Sequence, residues 1–253
     1  MNDAPTDPRL TERRERVFLV LAGVFFSAMT MLNIIGITRF VELGPLALAV
    51  GVLPYPITFL CTDLIGELYG RRRANFVVWV GLGLNLFVLG VIWLGQSLPS
   101  VPLDSQPPWQ LLQLSSGVAL PNGSVAEGEV ELFFLIYACT TGAILASMLA
   151  YLAAQFCDVF LFHFWKKKTK GKHLWLRNNG STLVSQLVDS VMVISITFGI
   201  AFLNGVHSLQ FMLTLIASNY AFKFTVALLD TIPLYFLVHF LSKYLKIKPE
   251  EID

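Results

Sequence analysis

The sequence predicts an all-α membrane protein: a polytopic bundle of six transmembrane helices with both termini in the cytoplasm. Three observations predict it. Of the 253 residues, 55% are hydrophobic and 14% charged, whereas soluble domains carry roughly a quarter charged residues to cover their surface. Apolar stretches of the length needed to cross a hydrocarbon core, about 20 residues, recur along the chain. The basic residues are also sharply segregated between the connections that join those stretches.

The elements follow in order. Residues 1–16 form a polar tail ending in Arg13, Arg14 and Arg16. The apolar run 17–38 is longer than a signal-peptide core of about 7–15 residues and lacks a small-x-small cleavage site, so it is expected to stay as the first span. Further spans are expected near 45–66, 74–95, 132–154, 183–204 and 220–241, within a six-span transmembrane domain of 17–242, and residues 243–253 make a second polar tail. The last apolar region, 209–241, is too long for one straight span of about 30 Å and too short for two spans with a turn. It reads as one span from 220, bent at Pro233, with a short interfacial or re-entrant helix over 209–218. Residues 96–130 are rich in Pro, Ser and Gly and read as a mobile external connector, with Trp109, Leu111, Leu112 and Leu114 placed to lie on the membrane surface.

Charge sets the orientation. Sixteen of the eighteen Lys and Arg residues fall in the first tail, at Arg71–Arg73, between Lys166 and Arg177, or after residue 242; the exceptions are Arg39 and Lys223. The positive-inside rule therefore puts the tails and those two loops in the cytoplasm, and only an even number of spans preserves the alternation. A net charge of +1 argues against nucleic acid as a partner, because phosphate binding requires a basic excess. Cys61, Cys139 and Cys157 lie in apolar runs without metal-ligand or disulfide spacing, and the four histidines are scattered, so no metal or other cofactor is expected. No nucleophile elbow, zinc helix or phosphate loop is present, which leaves chemistry on a substrate without support.

The polar residues inside the spans carry the functional signal, because an ionisable group in hydrocarbon faces the bundle interior and marks a pathway or site. Span 2 holds Tyr55, Thr58, Thr62, Asp63 and Glu67 at helical spacing, with Pro54 and Pro56 freeing backbone carbonyls. Span 5 holds Gln186 and Asp189 on one face, span 1 holds Asn33, and span 6 holds Asn219, Lys223 and Asp230. Asp63 and Asp189 fall at similar depth from the basic loops and suit a cation, a proton or a ligand rich in N–H donors. Lys223 sits near the outer boundary in a straight helix, where it can snorkel. In a broken helix it lies deeper and can neutralise a carboxylate.

Four stretches resemble the queuosine precursor transporter family, also called the VUT family. Residues 53–70, LPYPITFLCTDLIGELYG, look like its second-span signature; residues 177–190, RNNGSTLVSQLVDS, are similar to its entry into span 5. SNYAFKF at 218–224, continuing to Asp230, Pro233 and Tyr235, looks like its last span, and Ala146, Ser147, Tyr151, Gln155 and Asp158 match span 4 more weakly. Where the family commonly has an Arg ahead of that Ala-Ser, Gly142 and its neighbours stand here, and the outer loop is longer. The resemblance implies import of queuosine precursors across a bacterial inner membrane: 7-cyano- or 7-aminomethyl-7-deazaguanine, or the queuine base. The partners it implies are this small deazapurine and the lipid bilayer. On that reading Asp63 and Asp189 are the principal polar contacts, Gln186 and Asn33 orient the base, and Lys223 is a charge partner. Glu67 lines the same face, and Tyr55, Phe59 or Tyr220 stack on the flat ring. The alternatives are the membrane subunit of a larger ATP-driven importer and, further away, an intramembrane enzyme.

Overall fold

The computed structural model describes residues 8–102, 105–121, 123–169 and 174–247. In chain order it contains α1 (Pro8–Ile34), the strands β1 (Phe40–Leu43) and β2 (Leu46–Ala49), α2 (Tyr55–Tyr69), α3 (Arg71–Ser97), and the strands β3 (Leu111–Ala119) and β4 (Val125–Glu131). It continues with α4 (Leu132–Lys168), α5 (Leu174–Leu203), α6 (Leu209–Leu229) and α7 (Thr231–Leu245). Among the described residues five helical stretches are long and apolar enough to cross a membrane, α6 and α7 counting together as one. Their outward faces are apolar: Trp79, Phe87, Phe156 and Phe236 are each at least 66% exposed. A water-soluble surface tolerates such residues singly but not on every helix. The chain is a polytopic helical membrane protein.

Contacts divide it into two compact units. The first comprises Met1–Leu32, Leu53–Phe87 and Val226–Asp253; the second comprises Asn33–Val52 and Val88–Thr225.

In the first unit Ala22 and Phe25 of α1, Cys61 and Ile65 of α2 and Val77 of α3 form the core. One end of the unit gathers its charged residues. Arg14 donates from Nε to the Leu245 carbonyl (3.0 Å) and from Nη2 to that of Lys246 (2.7 Å), satisfying acceptors that the end of α7 leaves open. The Tyr69 hydroxyl donates to the Arg14 carbonyl (2.8 Å), and Arg73 pairs with Glu15 at 2.9 Å. The start of α1, the end of α2, the start of α3 and the end of α7 thus share one end, and with them the basic residues of both described termini. That arrangement agrees with the charge pattern of the sequence.

Three elements of this unit depart from the hydropathy reading. Helix α2 is only 15 residues long, about 22 Å, and begins ten residues after the apolar stretch does. Pro54 and Pro56 lack the N–H that an earlier start would need, and residues 45–52 are not α-helical. The turn between α2 and α3 is the single residue Gly70, at φ 85° and ψ 158°, a conformation open essentially to glycine. The bend expected at Pro233 lies three residues earlier, at Asp230, and the helix has no break near 219. Helix α6 runs unbroken from Leu209 to Leu229, so no separate short helix occupies 209–218. Pro233 explains the position, because its ring collides with the carbonyl four residues back, that of Leu229. The ladder resumes at once with Leu234 N–H to Asp230 O, 3.0 Å.

In the second unit α4 and α5 pack along their length, and α4 buries small side chains, Ala143, Ala146 and Ala150, that let backbones approach closely. Both helices overrun the apolar stretches that predicted them. Helix α4 has 37 residues, about 55 Å, because no Gly or Pro interrupts the chain between Ala154 and Lys168. The expected loop there is largely helix. The connector 96–130 is mostly an antiparallel hairpin, β3–β4, whose turn at Gly123 rests on Ile200 of α5. Trp109, just before β3, is 71% exposed.

A second hairpin, β1–β2, pairs Phe40 with Ala49 through Leu43 with Leu46. Its two-residue turn places Gly44 at φ 60° followed by Pro45, a sequence suited to a tight hairpin.

Replacing Gly70 by Ala forces a Cβ into its conformation, at a cost on the order of 1–3 kcal/mol. The expected result is a lower thermal midpoint for G70A in detergent, with no comparable loss for Gly83→Ala, where the added Cβ meets nothing within 4 Å.

Candidate functional site

The second unit brings Asp189 and Lys223 together. Asp189 projects from the middle of α5, fourteen residues before its end at Leu203, and Lys223 lies fourteen residues after the start of α6 at Leu209. These counts place both about 21 Å from the same end of two antiparallel helices. The Lys223 ammonium donates to Asp189 Oδ2 in an ion pair whose side chains are 4% and 18% exposed. Of the two positions open to Lys223 from the sequence, the structure takes the deeper one, because α6 begins at 209 and the bend falls after the lysine.

Polar groups continue along both helices. Ser190, fully buried, donates to the Gln186 carbonyl at 2.9 Å and approaches Asn219 Oδ1 at 3.4 Å. Asn219 is one turn before Lys223, so the two share a face of α6. One residue earlier, the Ser218 hydroxyl accepts from the Ala47 N–H of β2 at 3.4 Å. Two polar contacts thus join α5 to α6, Asp189 with Lys223 and Ser190 with Asn219. Tyr220, half-buried on α6, lies 6.5 Å from the Phe224 ring. Asn33 is buried at the end of α1, and beside it Thr140 of α4 donates to the Ile34 carbonyl at 3.2 Å.

The first unit carries the other predicted residues. Asp63 and Glu67 are exposed and one turn apart on α2, with Glu67 and Asp230 within electrostatic reach of Asp63. Among the described residues none of these three carboxylates forms an ion pair, and Asp230 Oδ2 is buried without a hydrogen-bond partner. Tyr55 and Phe59 meet edge to face at 4.4 Å. The hydroxyls of Thr58 and Thr62 bond back to their own helix, at 2.7 Å to the Tyr55 carbonyl and 2.9 Å to that of Phe59. The best-defined groove of this unit, about 510 Å³, is lined by Val20, Gly23, Ser27, Met31, Pro54 and Ile57. It has a single hydroxyl and offers a polar ligand little anchorage.

Sequence reasoning picked out Asp189, Gln186 and Lys223 but gave Ser190, Ser218 and Asn219 no role. Their signal was present as spacing: 186 to 190 and 219 to 223 are both single helical turns. What was missing was the depth at which α6 faces α5.

Residues 49–238, three quarters of the sequence, match the family model described as "Putative vitamin uptake transporter". The chain belongs to that transporter family. It is also 27% identical over 195 residues to the "Probable queuosine precursor transporter" of Bacillus subtilis (strain 168), covering 77% of this chain and 73% of the relative. No solved structure matches it significantly. The family and the apolar helices together make it a multi-pass membrane protein, which in bacteria resides in the inner membrane, handling a small-molecule substrate.

Removing one partner of a buried ion pair strands the other charge, at about 3–5 kcal/mol, whereas removing both is far milder. Lys223→Met alone is therefore expected to lower the thermal midpoint in detergent more than the double variant D189N/K223M. A double variant as unstable as the sum of its singles contradicts the pairing.

Proposed function

We propose that this transporter imports queuosine precursors, the 7-deazaguanines with a cyano or aminomethyl substituent or the queuine base, across the inner membrane for tRNA modification. The observation that carries the reading is the Asp189–Lys223 pair. A guanine-type edge presents a ring N–H and an exocyclic amine side by side, with a carbonyl next to them. A carboxylate accepts from both donors together, and an adjacent ammonium donates to the carbonyl. The empty pair is neutral overall, so a neutral base exchanges hydrogen bonds with it without importing net charge into a low-dielectric region. Lys223 is thus a reader of the base as well as a charge partner.

Gln186 and Asn219 flank the pair on their respective helices and complete the recognition, with Tyr220 placed to supply an aromatic face. Asn33, buried in the same unit, is retained as an orienting group. Asp63, with Glu67 one turn on, is proposed as a polar contact of its own on α2 in the first unit. The name of the Bacillus subtilis relative supports the substrate class. The cargo passes unchanged, since the chain is a carrier rather than an enzyme.

Labelled precursor uptake in a strain unable to make these bases tests the proposal. Cells with the protein should fill, and D189N should cut uptake roughly tenfold or more, the equivalent of one charge-assisted hydrogen bond. Unlabelled 7-deazaguanine should compete, and 7-deazaadenine should not, because its edge reverses donor and acceptor. Equal competition by both bases would falsify the edge-reading model, and equal filling with and without the protein would remove the transport reading altogether.

A further inference from the structure

We propose that the first unit binds an anionic phospholipid, with its phosphate on Arg72 and Arg73 and an acyl chain over Phe76 and Trp79. The inference stands apart from the transport reading and needs none of it. A groove of about 510 Å³ at the start of α3 is lined by Arg72, Arg73, Asn75, Phe76 and Trp79. Residues 72, 75, 76 and 79 recur at steps of three and four, so they form one stripe along the helix. Arg72 and Trp79 are seven residues apart, about 10 Å along the axis. The groove is therefore cationic at the charged end of the unit and aromatic one to two turns further in.

What covers this face follows from where it lies. Helix α3 is one of the stretches long and apolar enough to cross a membrane, and Phe76 and Trp79 are each 66% exposed on it. An exposed ring on a spanning helix faces lipid, and tryptophan favours the boundary between hydrocarbon and headgroups. In the membrane this groove is filled by a lipid, and its charges decide which one.

Most arginines at this end already have partners. Arg13 and Arg14 donate to carbonyls at the end of α7, and Arg16 pairs with Glu12. Arg73 pairs with Glu15 through Nη1 at 2.9 Å, and its guanidinium lies 5.1 Å from the Phe18 ring and 5.7 Å from that of Tyr69. Those contacts hold the guanidinium in place, so little freedom is lost when a ligand adds to its other nitrogens. Arg72 is exposed and forms no ion pair among the described residues. Arg72 and Arg73 against Glu15 thus leave one positive charge over. A phosphodiester brings one negative charge and the oxygen geometry that a guanidinium fork matches. A zwitterionic headgroup brings its own ammonium beside Arg72 and loses the match. Inorganic phosphate suits the arginines but leaves both rings uncovered. The groove along Val20 and Met31, as large but without a charged residue, has no means of choosing a headgroup.

Native mass spectrometry of the detergent-solubilised protein tests the site, with dioleoyl phosphatidylglycerol, dioleoyl phosphatidylcholine or inorganic phosphate added. Phosphatidylglycerol should stay bound after the detergent is stripped and should raise the thermal midpoint, and the other two should do neither. Arg72→Gln should weaken its retention roughly tenfold, the loss of one charge-assisted hydrogen bond. Arg16→Gln removes the same charge from the same end but outside the groove, and should change retention by less than about twofold. Equal losses in the two variants would mean diffuse attraction to a basic surface and would overturn the site. Equal retention of the two lipids by the unmodified protein overturns it without any variant. Displacement of phosphatidylglycerol by equimolar phosphate also overturns it, since the rings then contribute nothing. Cargo uptake plays no part in these readouts, so failure here leaves the transport reading as it stands.

Discussion

Hydrocarbon offers no partner to a polar group, so every N–H, carbonyl and charge inside the membrane must be satisfied by the protein itself. The architecture follows from that constraint. It makes the spans helical, since a helix closes its own hydrogen bonds. It also explains why the exceptions are so specifically tied. The β1–β2 hairpin closes its backbone by antiparallel pairing, and an outward-facing N–H that pairing leaves over, that of Ala47, goes to Ser218. The ends of helices obey the same rule nearer water: Arg14 crosses from α1 to take the open carbonyls of α7. With Arg13, which donates to the Tyr244 carbonyl at 3.4 Å, that side chain joins α1 to α7 at the end where the basic residues gather.

The ion pair is the same constraint applied to charge. Lys223 alone in hydrocarbon costs several kcal/mol, and so does Asp189. Together they cost less, and only if α5 and α6 hold one register. Matching depths of fourteen residues from the shared end meet that condition. The pair therefore fixes the helix register as well as presenting donors and acceptors. Ser190 and Asn219, one step along, repeat the match with neutral groups.

How much of this was legible in the sequence depends on whether a feature is local. Hydropathy found the membrane-crossing stretches because burial in lipid is a property of each run by itself. It failed where an apolar run is not a helix: residues 45–54 are as hydrophobic as a span, but Gly44-Pro45, Gly51, Pro54 and Pro56 break them into a hairpin and a late helix start. It also could not say how far α4 and α5 extend beyond their apolar stretches, since the 3.6-residue ladder continues across polar residues when no Gly or Pro stops it. The β3–β4 hairpin was hidden by a Pro-, Ser- and Gly-rich composition that fits a connector equally well. Pro233 was visible as the cause of a bend, but its effect falls four residues earlier, at Leu229, which moves the break away from Asn219 and frees α6 to run as one helix. The candidate site was half legible. Asp189, Gln186 and Lys223 announce themselves as polar residues in lipid, whereas their pairing depends on where α6 begins, which no single stretch encodes.

The two units treat acidic residues differently, and the difference bears on function. In the second unit a carboxylate is paired with a lysine, so the pair is neutral, as the proposed recognition of a neutral base requires. In the first, Asp63 and Glu67 stand exposed on α2 and Asp230 sits at the bend after α6, with no ion pair among the described residues. A neutral pair is suited to recognition, because exchanging its internal hydrogen bond for those of a base changes little in charge. Its weakness is that the same exchange is open to water, so the pair depends on the close packing that leaves the Lys223 side chain 4% exposed.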